Sequence, residues 1–198
     1  MRTCRGCGAE GAEVPRWPEA LTLADIDSYW RTVPSLEFDP DGLALLHLWQ
    51  RLRREAGGRL PHRAAFRPAD LVSVLPSLAV VQVLQGGTAF RYRLVGSRIV
   101  QIAGRNATGL MLDDELYGAE FSRMISPYQA VVQARAPVQT RSPVLFADTW
   151  RASDNMFVPF TTSGDAIDQI IVSVHLADGK TARHDQSGQI VILHDHAV

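Results

Sequence analysis

The stretch LAVVQVLQGGTAFRYRLVG, residues 78–96, decides the fold class. Its first part, residues 78–85, is short and rich in valine. Its second, residues 88–95, alternates Phe90, Tyr92 and Leu94 with Arg91 and Arg93. Successive side chains of a strand point to opposite faces, so one set belongs to a core and the other to water. Gly86-Gly87 lies between the two runs, and glycines supply the backbone freedom that a strand reversal needs. The pair therefore predicts a β-hairpin in an antiparallel sheet whose apolar face is covered by helices.

Downstream, Gly96 closes the second strand, and residues 97–103 and the segment after Asp114 read as helices. Ser126-Pro127 resembles an N-cap with proline at the first helical position, which predicts a break near residue 126. Three strand-like segments follow at 138–147, 150–161 and 166–176, with a turn at Ser163-Gly164-Asp165. Upstream, Asp39-Pro40-Asp41 opens a helix that carries Leu45, Leu48, Trp49 and Leu52 on one face and ends at Gly57-Gly58. An earlier series, Leu23, Ile26, Trp30 and Val33, has helical spacing behind Thr22 and is stopped by Pro34.

These elements predict one α+β domain built on a five-stranded antiparallel sheet with helices packed on one face and two flanking N-terminal helices. The divisions are a Gly- and Pro-rich start at 1–20, flanking helices at 21–57, the domain at 58–177 and a tail at 178–198. The apolar run Ile190-Val191-Ile192-Leu193 makes that tail a candidate edge strand. A chain of 198 residues holds one such domain rather than two.

Twenty basic residues against twenty-one acidic ones give a net charge of −1, so no global field draws the chain to nucleic acid or an anionic membrane. The arginines at 51, 53, 54, 59 and 63 read as a solvated helix face. No run approaches the roughly 20 apolar residues that span a bilayer. The N-terminus lacks the apolar segment of a signal peptide, and a cytoplasmic location is expected. Cys4 and Cys7 are the only cysteines and form half of a zinc knuckle without its second half. His194 and His196 alternate on one side of the tail and are read as surface residues, as is His47.

Several phrases resemble the small proteobacterial PAS family of the PAS_5 or DUF1457 type. They are Leu60-Pro61-x-Arg63, Phe66-x-Pro68-x-Asp70-Leu71 and Leu75-Pro76-x-Leu78. Further on come Phe90-Arg91-Tyr92-Arg93-Leu94-Val95-Gly96-Ser97-Arg98, Gly104-Arg105-x-x-Thr108-Gly109, Pro159 and Gly164-x-x-x-Asp168-x-Ile170. The resemblance covers roughly residues 45–176. It implies a cup with a sheet for one wall and helices for the other. Such domains sense small ligands or dock signalling partners and perform no chemistry of their own.

The cofactors known from PAS domains leave chemical marks. A light-oxygen-voltage flavin photoadduct needs a cysteine after Gly-Arg-Asn; here Gly104-Arg105-Asn106 is followed by Ala107, which disfavours it. A haem PAS takes its histidine from the helix facing the sheet, and residues 117–135 contain Tyr117 and Tyr128 but no histidine. The cofactor, if any, is left unknown.

The candidate ligand-binding residues are Phe90, Tyr92, Leu94, Met156, Val158, Phe160, Ile170 and Val172 at alternating strand positions, with Arg105 and Tyr128. The same alternation builds either a filled core or a ligand cavity. Arg105 and Thr108 also read as residues that pin their loop through backbone groups, and Gly96 and Gly104 as positions of positive φ. Ile26, Tyr29, Trp30, Leu45 and Trp49 are the candidate contacts of a homodimer formed through the flanking helices and the outer sheet face. A partner signalling protein is expected to receive the output.

Two other functions fit the same residues. One is a ligand-free protein–protein interaction module. The other is an isomerase-type enzyme, for which Asp113, Asp114, Glu115, Asp148, Asp154, Asp165 and Asp168 are the available carboxylates, with His175 as a further base. Turn and cap positions explain most of these acids, and no nucleophile elbow, phosphate loop or His-Glu-x-x-His is present. No catalytic or metal-binding residue is assigned.

Overall fold

The computed structural model describes residues 30–32, 35–146, 149–181 and 188–193. The hairpin is formed by β2 (Leu78–Leu84) and β3 (Ala89–Val95), paired from Leu84↔Ala89 to Ala79↔Val95 with a bulge between Val80 and Val81. Its connection is four residues long rather than the glycine pair alone. Gln85, Gly86 and Gly87 all take positive φ. At Gly87 a Cβ would come within 2.7 Å of the Val132 side chain, so glycine also lets a helix pass close by.

Five strands form the expected unit in the order β4-β5-β6-β2-β3, with β4 (Val138–Phe146), β5 (Thr149–Phe160) and β6 (Gln169–Thr181). All neighbouring pairs are antiparallel. Beyond β4, the tail contributes β7 (Gly188–Ile192), a sixth antiparallel strand. It is covered in turn by β1 (Trp30–Thr32), which pairs parallel to it. The spacing of apolar residues predicts a helix through Trp30. Trp30–Thr32 is instead a strand, which gives the backbone of β7 a partner on its outer side. The rest of that first flanking helix lies outside the described residues.

Helices occupy both faces. On one face sit α2 (Ser97–Ala103), α3 (Asp114–Tyr117) and α4 (Phe121–Ala134). On the other lies α1 (Pro40–Glu55), whose N-cap Asp39 accepts a hydrogen bond from Gly42 N at 2.8 Å. Leu45, Leu46, Trp49 and Leu52 of α1 pack with Met156, Val158, Phe160 and Ile171 of the sheet. Phe66, Leu71 and Val74 from the one-turn helices between α1 and β2 complete that second core.

Two local expectations are corrected. α4 runs straight through Pro127 instead of breaking there. Proline cannot donate to the carbonyl four residues earlier, Arg123 O, and the Ser126 hydroxyl donates to that oxygen instead at 3.0 Å. Gly96 takes a negative φ of −66°, so its glycine is not there for a left-handed turn. A Cβ at Gly96 would meet Pro76 O at 2.4 Å and Leu75 O at 2.8 Å. Gly104 does take positive φ, at the end of α2.

Candidate functional site

Between the sheet and α2–α4 the chain forms a half-open cavity of about 460 Å³. It lies within the size range of small-molecule sites. Half of the expected cup is filled core. Phe90 packs tilted and Phe157 edge-on against Tyr128, with centroids 5.4 and 5.1 Å from it, and Ile170, Val131 and Val138 close the space around them. The other half, towards β4 and β5, is open and lined by Thr140, Ser142, Ser153, Asn155 and Trp150.

Two polar groupings face this space. Tyr92 and Tyr117 place their hydroxyls 2.6 Å apart, with Tyr128 beside them. Burial pushes all three phenols above the ordinary tyrosine range, so they remain neutral at physiological pH. On the sheet, the Ser153 hydroxyl donates to Asn155 Oδ1 at 2.9 Å, and Asn155 Nδ2 donates to Thr140 Oγ1 at 3.1 Å. At the rim stand Arg105, Glu120 and Arg123. Arg105 donates to Leu116 O and lies over the Tyr117 ring at 5.5 Å, while Arg123 is paired with Glu120 at 2.6 Å.

The structure separates the sequence-derived site residues into groups. Tyr92, Arg105, Tyr128 and Val172 line the cavity. Phe90 and Ile170 are buried in the filled half beside it. Met156, Val158 and Phe160 lie on the opposite face against α1, because the odd-numbered residues 153, 155 and 157 of β5 face the cavity. Leu94 is half exposed, and the β2 bulge pairs it with Val80 on the α1 side of the sheet. Ala107, at the position where a flavin-binding cysteine would stand, is buried and lines the cavity.

Leu45 and Trp49, expected at a dimer interface, are instead buried within the chain at 0% and 2% exposure. Trp49 Nε1 donates to Pro159 O at 2.7 Å, and α1 with its neighbours occupies the outer sheet face that a second copy was expected to cover. Ile26 and Tyr29 lie outside the described residues, as do the side chain of Trp30 and all of Cys4, Cys7, His194 and His196.

The carboxylates are mostly structural. Asp113 caps α3 through Leu116 N at 2.9 Å, and Asp168 accepts from Thr162 N and Oγ. Asp154 faces α1 and is held by both Arg141 Nε and Nη2. His175 pairs across from Asp154 on that same side. Asp148 lies outside the described residues. Among those described, Glu120 is the only carboxylate lining the cavity, and it is exposed at the rim. No group of three described His, Cys, Asp or Glu residues could hold a metal ion.

Thr140, Ser142, Ser153, Asn155 and Tyr117 did not emerge as binding candidates from the sequence. For the four strand residues the signal was an alternation of small polar side chains on two consecutive strands, masked by the polar Gln139, Arg141 and Asp154 between them. Only the antiparallel pairing of β4 with β5, which sets Thr140 opposite Asn155 and Ser142 opposite Ser153, brings the four strand residues together.

A five-stranded antiparallel sheet in the order β4-β5-β6-β2-β3, with a helix-walled cup on one face and a flanking helix on the other, defines a PAS-type sensory or regulatory domain. The family model PAS_5, described as a PAS domain, matches residues 38–172, and the chain belongs to this family. The match begins just before α1, so the flanking helix falls within the family's span. A comparison with curated proteins finds no match. No helix among the described residues is long and apolar enough to cross a membrane.

Proposed function

We propose that this chain is a non-catalytic sensor whose cup takes a small amphipathic ligand and whose occupancy is read by α1 on the far side of the sheet. The observation that carries this reading is the cavity of about 460 Å³, with aromatic side chains on one flank and a hydroxyl–amide ladder on β4 and β5. Small-molecule sites combine apolar walls with a few placed polar groups in this way. The scarcity of carboxylates in the cavity supports binding over proton-transfer chemistry, which needs a base within hydrogen-bond reach of the substrate.

β5 is the route between the two faces. Its odd residues Ser153, Asn155 and Phe157 meet the ligand space, while its even residues Asp154, Met156, Val158 and Phe160 meet the other side. A ligand that favours one setting of this strand biases the seat of α1, and a homodimer or partner protein in the cytoplasm reads the change.

Native mass spectrometry of the purified protein, set against its denatured mass, tests this reading. A discrete adduct lost on denaturation gives the ligand's mass, and the same spectrum gives the oligomer. An apo species from the native host overturns ligand sensing and leaves the ligand-free interaction module. An apo monomer also overturns signalling through a homodimer.

A further inference from the structure

The chemistry of the cavity lining narrows the ligand, and the following rests on the sensor reading above. The rim carries two guanidinium groups, Arg105 and Arg123, against the single carboxylate of Glu120. Among the described lining residues no other side chain is charged. Arg123 is already neutralised, since its Nε and Nη2 both lie within 2.7 Å of Glu120 Oε2. Arg105 has no ion pair among the described residues. It is exposed, and one of its five N–H groups is spent on Leu116 O. A positive charge with free donors therefore stands at the opening.

Inside, the polar groups also have protons to give. In the Ser153–Asn155–Thr140 ladder each step donates towards Thr140, whose own hydroxyl proton is the free end of the chain. The Tyr117–Tyr92–Tyr128 hydroxyl contacts use two of their three phenolic protons and leave one. None of the three phenols ionises near neutrality, so none repels an anion. The space between is apolar, walled by Ile99, Ile102, Met124 and Val174. Donors within and an unpaired cation at the mouth select acceptor atoms and negative charge.

We infer that the ligand class is an amphipathic carboxylic acid. Its carboxylate sits at Arg105 beside Tyr117, and its apolar body reaches inward between α2, α4 and the sheet. An ammonium head group would meet the guanidinium unfavourably, and the one carboxylate in the described lining that could neutralise it, Glu120, is already held by Arg123.

The test is calorimetric titration of the full chain with decanoate, decanol and decylammonium. Decanoate is expected to bind most tightly. Arg105→Gln is expected to weaken decanoate about tenfold or more while leaving decanol unchanged, the loss of one charge-assisted contact. A merely structural role for Arg105, holding Leu116 O, would weaken both equally and overturn the inference. Val174→Trp, or Ile102→Trp at the rim if the first variant fails to fold, is expected to block decanoate by filling the cavity. Undiminished binding to a folded variant of either kind would overturn the placement. Decanol or decylammonium binding as tightly as decanoate would overturn the acid class yet leave the cup a ligand site. No binding by any of the three, with an adduct of other chemistry in the native spectrum, would sink this inference alone. No binding and no adduct would sink the sensor reading with it.

Discussion

Replacing Trp49 with phenylalanine isolates what ties α1 to the sheet. Trp49 is 2% exposed, and its Nε1 donates to Pro159 O at 2.7 Å. Pro159 has no N–H, and it lies beyond Phe157, where the pairing of β4 with β5 ends. A proline is tolerated there because no ladder donor is needed, and the indole meets its carbonyl. In the Trp49→Phe variant the carbonyl stays buried and loses that donor, at a cost of about 1–3 kcal/mol. The smaller ring leaves a void worth roughly 1 kcal/mol more. The sum, about 2–4 kcal/mol, is a large share of the 5–15 kcal/mol that holds a typical domain together.

Urea unfolding followed by far-ultraviolet circular dichroism measures that loss as a lower midpoint at unchanged slope. Arg53→Ala serves as the control. Arg53 covers the Trp49 ring at 5.3 Å from the exposed side, and its loss is expected to cost under about 1 kcal/mol. Amide exchange should rise at residues 45–52 in the Trp49→Phe variant and stay unchanged at residues 125–131 of α4, which packs on the other face. A loss below about 0.5 kcal/mol, or equal loosening of both helices, would refute the anchoring of α1 through this bond.

Further outcomes follow from local geometry. Gly96→Ala drives a methyl group into the backbone of Leu75 and Pro76 and is expected to destabilise by about 1–3 kcal/mol or more, whereas Gly104→Ala meets open space and bears only left-handed strain of roughly 1–2 kcal/mol. Thermal unfolding that ranks the two in reverse order contradicts the close-approach argument. Ser126→Ala leaves Arg123 O without the hydroxyl that replaces the missing proline N–H and should cost about 1 kcal/mol. In a Pro127→Ala background the restored N–H makes Ser126 dispensable, so a double-mutant cycle with no coupling would show that the compensation is not real. Asp39 is raised above its ordinary 3.8 by burial first, with Asp154 and Asp41 adding to it and Gly42 N–H and His175 opposing. Its contribution to stability is complete below pH 3.8 and is lost as pH rises through the folded value. Asp39→Asn keeps the cap and does not titrate, so its stability relative to the parent should climb from acid to neutral pH. A flat or falling difference would refute that sign.

The hairpin was legible because its information is local: alternation on one strand, a valine run on the other and glycines between them. The α1 helix was legible for the same reason, from Asp39 at its cap to Gly57-Gly58 at its end. Pro127 misled because its compensation lies in a side-chain bond, Ser126 Oγ to Arg123 O, that sequence rules read as an N-cap. Trp30 misled because three residues of strand are specified by β7, more than 150 positions away, rather than by their own neighbours.

The site was half legible for a different physical reason. Period-two alternation identifies which residues of a strand share a face but not which face they share. On β5 the large apolar set, Met156, Val158 and Phe160, suggested a ligand wall, and the smaller polar set, Ser153 and Asn155, was not singled out. The structure places the first against α1 and the second at the cavity. α1 needs the large apolar set to dock, and that leaves the polar set facing the cup, where hydroxyl and amide groups have room to act as hydrogen-bond donors. Phe157 shares the polar set's face by position and ends the cavity by packing edge-on against Tyr128. α1 thus takes the strand's apolar face, and the cavity keeps the polar one. The family's span begins with that helix rather than after it.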